Sequence, residues 1–190
     1  MQTNIYIALL RGINVSGKNI IKMDLLTNLF NELGFDYVQT YIQSGNVVFT
    51  SKEGNHIEIE KKLINGIFEK FNLDISVIVI NFVDFRDILN NCQLLKLNDI
   101  NINNIYISFL SERPFNYDKM KINSKKNESE LIEFSDNTIY LYCPTGYGNT
   151  KISNNFLESV LKVNITTRNL NTSNKLLDLG NKININNLQK

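Results

Sequence analysis

Seven residues near the start of the chain recur almost unchanged one hundred residues later. Asn4–Leu10 reads NIYIALL, and Asn104–Leu110 reads NIYISFL. The first of these segments is apolar on both faces of an extended chain, which is typical of a strand at the centre of a sheet. The repeat predicts two related halves, each built around one such strand.

The first half alternates between strand and helix periodicity. A Ser44-Gly45-Asn46 turn between two apolar runs indicates a hairpin, and Gly34 is a natural helix stop. The predicted elements are a strand at 4–10, a loop at 11–21, a helix at 22–33, strands at 37–43 and 47–51, a helix at 57–71 and a strand at 75–80. This order is that of the ferredoxin-like split βαβ unit.

The second half repeats this order more loosely. We expect a strand at 104–110, a weakly patterned helix at 114–122, a hairpin of 130–134 and 138–143, a helix at 150–161, an extended piece at 164–167, a helix at 170–179 and a frayed tail from 181. We therefore predict an α+β fold of two tandem ferredoxin-like units with an extra C-terminal helix. The predicted ranges are 1–82 for the first unit, 83–103 for a connecting helix and loop, and 104–190 for the second.

Charge and cysteine content exclude several classes of protein. The formal net charge is +1, whereas proteins that bind duplex nucleic acid through its phosphates carry a clear basic excess. A local basic patch stays compatible with this value. Two cysteines are too few for a disulfide framework or a zinc site, and no apolar run approaches the ~20 residues of a membrane span. The start of the chain lacks the pattern of a signal peptide, so we expect a cytoplasmic protein with no membrane partner.

The first candidate site is the loop after the first strand. Its sequence from Gly12 to Asn19, GINVSGKN, nearly matches the P-loop pattern. Asn19 replaces the magnesium-binding hydroxyl and the helix begins late, so a nucleoside triphosphatase is rejected. A glycine loop that carries Arg11 and Lys18 suits an anion near a helix N-terminus; alternatively, Gly12 and Gly17 only permit tight turns.

The second candidate site is the tip of the first hairpin, Gln43-Ser44-Gly45-Asn46. Its side chains offer hydrogen bonds to a ligand, although the same residues are ordinary turn formers. In a ferredoxin-like order this tip can lie well away from the first loop, so whether the two share a pocket stays open.

Two further segments precede helices in the second half. Gly146-Tyr-Gly-Asn-Thr-Lys151 predicts a helix capped by Asn149 or Thr150, with Lys151 as an anion-binding candidate. Thr166-Thr-Arg-Asn169 contains Arg168, one of four arginines in a lysine-rich chain. Arginine pairs with a carboxylate or phosphate through two hydrogen bonds; the partner of Arg168 is either a ligand or an internal acid such as Glu158 or Asp178.

Four ordered segments together resemble a bacterial family known as domain of unknown function 1697. They are ALLRGINVSGKN at 8–19, TYIQSGNVVF at 40–49, GYGNTK at 146–151, and TTRN at 166–169 with KLLDL at 175–179. The family usually has Gly in place of Ser16 and Trp in place of Leu170. The resemblance implies an α+β, ferredoxin-like fold and no activity.

Three functions compete on these residues, and the sequence indicates no cofactor or oligomeric state. The leading hypothesis is a protein that binds a phosphorylated or other anionic small molecule. The second is an enzyme of phosphoryl or acyl chemistry without a catalytic histidine, since we expect the lone His56 at the surface. The third is an RNA-binding or protein-interaction module that uses strand tyrosines. The residues assigned to the leading hypothesis are Arg11, Gly12, Asn14, Gly17, Lys18, Ser44, Asn46, Lys151 and Arg168, and those of the third are Tyr6, Tyr41, Tyr106 and Tyr140.

Overall fold

A computed structural model describes residues 3–188 of the chain. The ends of the predicted ranges, residues 1–2 and 189–190, lie outside these. The described residues form an α+β protein with two four-stranded antiparallel sheets and six α-helices, which confirms the predicted class. None of the helices in this part of the chain is long and apolar enough to cross a membrane.

The first compact unit contains residues up to Asp87 and those from Lys175 onward. Its sheet has the strand order β2-β3-β1-β4, so the predicted central strand β1 is central. Glu60, on the second helix, accepts a hydrogen bond from the Val79 backbone N–H of the edge strand β4 at 3.3 Å. The elements are β1 (Asn4–Leu10), α1 (Met23–Glu32), β2 (Asp36–Tyr41), β3 (Asn46–Ser51), α2 (His56–Phe71), β4 (Val77–Asn81) and α3 (Phe82–Asn90), whose end passes into the second unit.

The second compact unit contains Ile88–Asn174, and its sheet has the equivalent order β6-β7-β5-β8. This division groups residues from Lys175 with the first unit, whereas the sequence assigned the whole terminal helix to the second. The elements are β5 (Ile105–Leu110), α4 (Lys119–Lys125), β6 (Leu131–Phe134), β7 (Thr138–Tyr142), α5 (Asn154–Leu161), β8 (Ile165–Asn169) and α6 (Leu170–Leu188), with short 3₁₀ turns at Gln93–Lys96, Ile102–Asn104 and Tyr147–Asn149.

Three predicted helix boundaries are wrong. The helix expected at 114–122 is α4, which begins after Asp118, whose side chain caps it. The helix expected from Thr150 begins at Asn154, because Ser153 is the residue whose hydroxyl caps it. The tail expected to fray from 181 continues α6 to Leu188.

The repeated strands end in the same hydrogen bonds. Leu10 N–H donates to the hairpin-turn carbonyl of Gly45 at 2.8 Å, and Leu110 N–H donates to that of Asn137 at 3.0 Å. The next residue in each case donates to the segment just before the fourth strand, at 2.9 Å in both units. The repeat in the sequence is therefore a repeat in backbone structure.

Each unit buries a core between one sheet face and its two main helices. In the first unit Phe30, Phe35 and Phe49 pack edge to face or tilted, with ring centroids 4.9–5.8 Å apart. The alternation of apolar residues on the strands and the apolar stripe of each helix place these side chains inward. The cores are rigid supports for the loops at the ends of each sheet.

Candidate functional site

The loop after β1, residues 11–21, forms a miniature hairpin that we call the braced loop. Val15 and Lys18 form a β-bridge, and the Lys18 N–H donates to the Val15 carbonyl at 3.0 Å. Ser16 and Gly17 between them have φ of +50° and +74°, as a type I′ turn requires. Only glycine adopts such angles without strain, so Ser16 sits in a backbone conformation that glycine would fit better.

Asn14 ties the braced loop to the tip of the first hairpin. Its Nδ2 donates to the carbonyl of Ile21 at 2.9 Å and to that of Gln43 at 2.8 Å, and its Oδ1 accepts the Ile21 N–H at 2.9 Å. Asn14 itself has φ of +54°, an angle that asparagine tolerates better than most residues. These three bonds commit its amide to the scaffold rather than to a ligand.

The hairpin tip lies directly against the braced loop. A Cβ added to Gly45 would be 2.6 Å from Cβ of Leu10 and 3.0 Å from the side chain of Ile13. Glycine is therefore required here both by the close approach and by its φ of +71°. The first loop and this tip are therefore adjacent, a question that the sequence left open.

Asn46 and Ser44 support the tip from within. Asn46 is fully buried, and its Nδ2 donates to Ser44 Oγ at 2.9 Å and to the Tyr41 carbonyl at 3.2 Å. The Asn46 amide is thus hydrogen-bonded within the turn, just as the Asn14 amide is hydrogen-bonded to the loop and the tip. The neighbouring Ile42 has φ of +49° and is exposed, which is unusual for a β-branched residue.

The two basic side chains of the braced loop occupy different environments. Lys18 is exposed on the miniature hairpin, and Arg11 is half-buried at the end of β1. The Arg11 N–H donates to the carbonyl of Ser76, just before β4. The loop joins the end of β1 to helix α1, which begins at Met23 and has no side-chain cap.

The remaining basic candidates belong to the second unit. Lys151 is exposed between the 3₁₀ turn and α5, and is not part of the helix that it was expected to open. Arg168 lies on β8, and its Nη1 donates to Thr166 Oγ1 at 2.7 Å and to the Thr167 carbonyl at 2.9 Å. Burial lowers the pKa of Arg168 to about 10. The guanidinium therefore remains charged at neutral pH.

A hydroxyl network joins the two motifs of the second unit. Thr167 Oγ1 is 2.8 Å from Ser108 Oγ, 3.1 Å from the Tyr147 hydroxyl and 2.5 Å from Asn154 Oδ1. Tyr147 also donates to Asn154 Oδ1 at 2.8 Å, and its ring packs at a tilt of 35° against that of Tyr106, with ring centroids 5.2 Å apart. This network was not predicted from the sequence, in which Ser108 in an otherwise apolar strand was the available signal.

Glu60 is a second residue that the sequence analysis missed. Burial raises the pKa of Glu60 to about 7, against a lowering effect of the bond from Val79. Its position next to Ile59, at the border of the apolar stripe of α2, was the signal for a partly buried carboxyl. Its hydrogen bond is to the edge of β4 and not to the braced loop, so it is a poor general base for a ligand there.

Two of the four tyrosines proposed for base stacking are covered, and Tyr41 and Tyr106 are half-buried. Tyr6 and Tyr140 are each 1% exposed. Tyr6 donates to the Glu53 carbonyl at 2.9 Å and Tyr140 to the Ile88 carbonyl at 2.8 Å. These two rings cannot stack on a base, because strand and helix residues enclose them.

The two cysteines are buried, and the histidine is exposed as the sequence predicts. Cys92 and Cys143 are each 1% exposed and both are free thiols. Burial raises the pKa of Cys143 to about 11, which keeps the thiol protonated and unreactive. His56 is exposed at the start of α2. The described residues contain no cluster of three or more His, Cys, Asp or Glu that would hold a metal ion.

Comparison with solved structures shows that the fold of this chain is similar to a known one. A conserved bacterial protein from Streptococcus pneumoniae has a TM-score of 0.71 and 25% sequence identity to this chain. The similarity covers 94% of this chain and 99% of that one. Among curated proteins, none matches. The model of the family described as protein of unknown function (DUF1697) matches residues 3–140, and the chain belongs to that family.

Proposed function

We propose that the chain binds an anionic small molecule, such as a phosphorylated metabolite, at the braced loop and the adjoining hairpin tip. The observation that carries this proposal is the backbone of the loop. Five of the eight residues from Gly12 to Asn19 have positive φ. Among the five, Ser16 is the residue for which this conformation is costly, by about 1–3 kcal/mol, and backbone strain of this kind clusters at functional sites.

The alternation of backbone angles supports an anion as the ligand. Residues of positive φ at Gly12, Asn14 and Ser16 are separated by Ile13 and Val15, which lie outside that region. Turns that contain left-handed residues can aim successive N–H groups into a concave nest that binds an anion; in this loop the N–H groups of Asn14 and Lys18 are occupied by the carbonyls of Asn19 and Val15, so the other N–H groups would form the nest. Arg11 and Lys18 in the same loop would add positive charge.

The predicted site residues divide into scaffold and binding groups under this proposal. Asn14, Ser44 and Asn46 hold the loop and the tip in place through their internal bonds. Arg11 and Lys18 bind the anion together with the loop backbone. Lys151 and Arg168 belong to the second unit and are proposed as a separate basic pair.

The test is a thermal-shift screen against inorganic phosphate, sugar phosphates, nucleotides and acyl-phosphate mimics. A ligand at about 100 times its dissociation constant stabilises the native state by roughly 2.7 kcal/mol, a shift of about 5–10 °C for a chain of this size. The shift should disappear in Lys18→Ala and weaken in Arg11→Lys. Lys61→Ala, which removes an exposed lysine from α2, is the matched control and should retain it.

Two outcomes would overturn the proposal. One is the absence of any shift across the panel. The other is a ligand whose shift survives in Lys18→Ala but disappears in Lys151→Ala or Arg168→Lys, which would move the site to the second unit. Arg168→Lys is used because it retains the charge of a half-buried side chain.

We further propose that each unit has the ferredoxin-like topology. Support comes from the order strand, helix, strand, strand, helix, strand in both units and from strand orders in which the first and third strands are central. A cytoplasmic location is also proposed, supported by the two free and buried thiols, since disulfides are rare in that compartment.

A further inference from the structure

Helix α4 carries the densest run of positive charge in the second unit. Residues 119–126 read KMKINSKK, with four lysines and no acidic residue. Asp118 precedes the run and serves as the helix cap, with its Oδ1 accepting the Lys121 N–H at 3.0 Å. The chain as a whole has a net charge of only +1, so this charge is local.

Aromatic rings lie beneath two of these lysines. Lys119 Nζ is 5.8 Å from the ring centroid of Tyr117 and 5.4 Å from that of Phe134. Lys125 Nζ is 6.0 Å from the ring of Phe156. These cation–π contacts hold the ammonium groups close to the protein surface, and the Tyr117 and Phe134 rings are themselves 5.7 Å apart.

Two large apolar side chains project from the same segment. Phe115 is 86% exposed and Met120 is 81% exposed, the highest values among the large hydrophobic residues of the described chain. Asn116, with φ of +49°, turns the backbone directly after Phe115. Exposure of an apolar side chain of this size to water is unfavourable in free energy unless a binding partner covers it.

We infer that this lysine–aromatic surface, comprising Phe115, Tyr117 and residues 119–126, binds single-stranded nucleic acid. Lysines along a short helix suit a flexible phosphate backbone, and an exposed ring beside them suits an unpaired base. Stacking on the ring contributes to affinity whichever base is present, because every base has a π-face. This inference is independent of the braced loop, which lies in the other unit.

The arrangement favours a single strand over the other acidic partners. The rings of Tyr117, Phe134 and Phe156 are half-buried in the core of the unit, so Phe115 and Met120 are the apolar groups left to a partner. One helix of seven residues is too short for the long amphipathic face by which helices lie in a membrane. A duplex would need a wider basic surface than four lysines provide.

The experiment is fluorescence anisotropy of the full chain with labelled ten-nucleotide oligouridylate and oligothymidylate, measured between 50 and 200 mM salt. We expect dissociation constants on the order of 10⁻⁴–10⁻⁶ M, typical of sequence-independent binding. The Lys126 ammonium donates to the Glu130 carbonyl at 3.1 Å, so three lysines are left for phosphates. Three phosphate contacts predict a slope of about −2 in a plot of log binding constant against log salt concentration. The relative affinities for oligouridylate and oligothymidylate show whether the protein prefers RNA or DNA.

The variants separate charge from stacking. Lys121→Ala should reduce the steepness of the salt slope by about 0.7, the value for one phosphate on a single strand. Phe115→Ala should weaken binding by about 5- to 150-fold with an unchanged slope, as expected for the loss of one stacked base. Both side chains are exposed, so the variants are expected to fold, and circular dichroism checks this.

Matched controls come from helix α2 of the first unit. Lys61→Ala and Phe68→Ala remove an exposed lysine and a half-exposed phenylalanine, and neither should change the affinity. Lys18→Ala, which tests the braced loop, should also leave it unchanged. The inference is overturned by an absence of saturable binding at 50 mM salt. It is also overturned if Lys121→Ala and Phe115→Ala both bind the oligonucleotides with the affinity of the unmodified chain. Binding to anionic lipid vesicles but to neither oligonucleotide likewise overturns it.

Discussion

Replacing Asn14 with alanine should destabilise the first unit by about 2–3 kcal/mol. The change removes three hydrogen bonds, at 2.8 and 2.9 Å to two carbonyls and at 2.9 Å from one N–H. Each is worth about 0.5–1.5 kcal/mol net, and water can replace part of the loss because the loop is partly exposed. Alanine must also adopt the left-handed φ of +54°, which costs it about 1 kcal/mol.

Urea unfolding followed by circular dichroism measures this loss, and the thermal midpoint should fall by about 4–12 °C. Hydrogen exchange gives a local reading, because the Ile21 N–H donates to Asn14 Oδ1 and should lose protection. Asn14→Gly removes the same bonds without the steric cost at positive φ. It should therefore be about 1 kcal/mol less destabilising than Asn14→Ala.

A free energy of unfolding for Asn14→Ala within about 0.5 kcal/mol of that of the unmodified chain, the range of ordinary surface substitutions, would contradict this prediction. Unchanged protection of the Ile21 amide in the variant would also contradict it, since the Asn14 side chain would then not hold the loop. Asn19→Ala is the matched control, because Asn19 has a similar φ of +48° and one bond, at 3.1 Å to the Gly12 carbonyl. It should cost about half as much.

Three other substitutions test separate features. Ser16→Gly should stabilise by about 0.5–1 kcal/mol, because φ there is +50°, and a lower thermal midpoint would contradict this. Gly180→Ala should destabilise the native state by about 1–3 kcal/mol, although alanine has a better helix propensity than glycine, because the new Cβ would lie 2.8 Å from Phe82 Cζ. Adding Phe82→Leu to this variant should restore part of the lost stability. Folding raises the pKa of Glu60 from 4.5 to about 7, so its protonated form stabilises the native state most below pH 4.5. That contribution, about 1–2 kcal/mol after allowance for partial exposure, should fade as the pH rises to 7. Urea midpoints from pH 4 to 8 should show no such fading in Glu60→Gln.

The elements predicted correctly are those with strong periodicity. The predicted helix at 57–71 and the observed α2, His56–Phe71, differ by one residue. Its apolar stripe is continuous, since Ile59, Leu63 and Ile67 are all fully buried on one face. Packing of such a stripe determines the helix more strongly than local propensity does.

Helix α4 shows why the weaker prediction failed. Its seven residues contain one buried side chain, Ile122, so no apolar period marks its limits. The Asp118 cap fixes its start, but aspartate also occurs in many turns. At α5 a competing local bond misled the prediction: Thr150 Oγ1 accepts the Ile152 N–H in a turn, and Ser153 is the cap.

The proximity of the braced loop and the hairpin tip depended on a strand pairing that periodicity does not reveal. β3 pairs with β1 in antiparallel orientation, with Leu9 opposite Asn46. The start of β3 therefore lies beside the end of β1, and the tip that precedes β3 must meet the loop that follows β1. Periodicity identifies the individual strands but not their neighbours, and the pairing of β1 with β3 follows only from the order of elements along the chain, through the topology that this order predicts.

The two units also share a feature of their edge strands that their sequences conceal. In the first, Glu60 of α2 accepts the Val79 N–H of β4 at 3.3 Å; in the second, Glu158 of α5 accepts the Ile165 N–H of β8 at 2.9 Å. Each glutamate is the fifth residue of its helix. An unpaired N–H at a sheet edge invites pairing with another chain, and a helix carboxylate occupies it here. The contacts fall at different registers, since Val79 lies opposite Ala8 whereas Ile165 lies opposite Leu110. What the two units share is therefore a helix glutamate that occupies an N–H at one edge of a four-stranded sheet. The residues involved can be identified only once the strand order is known.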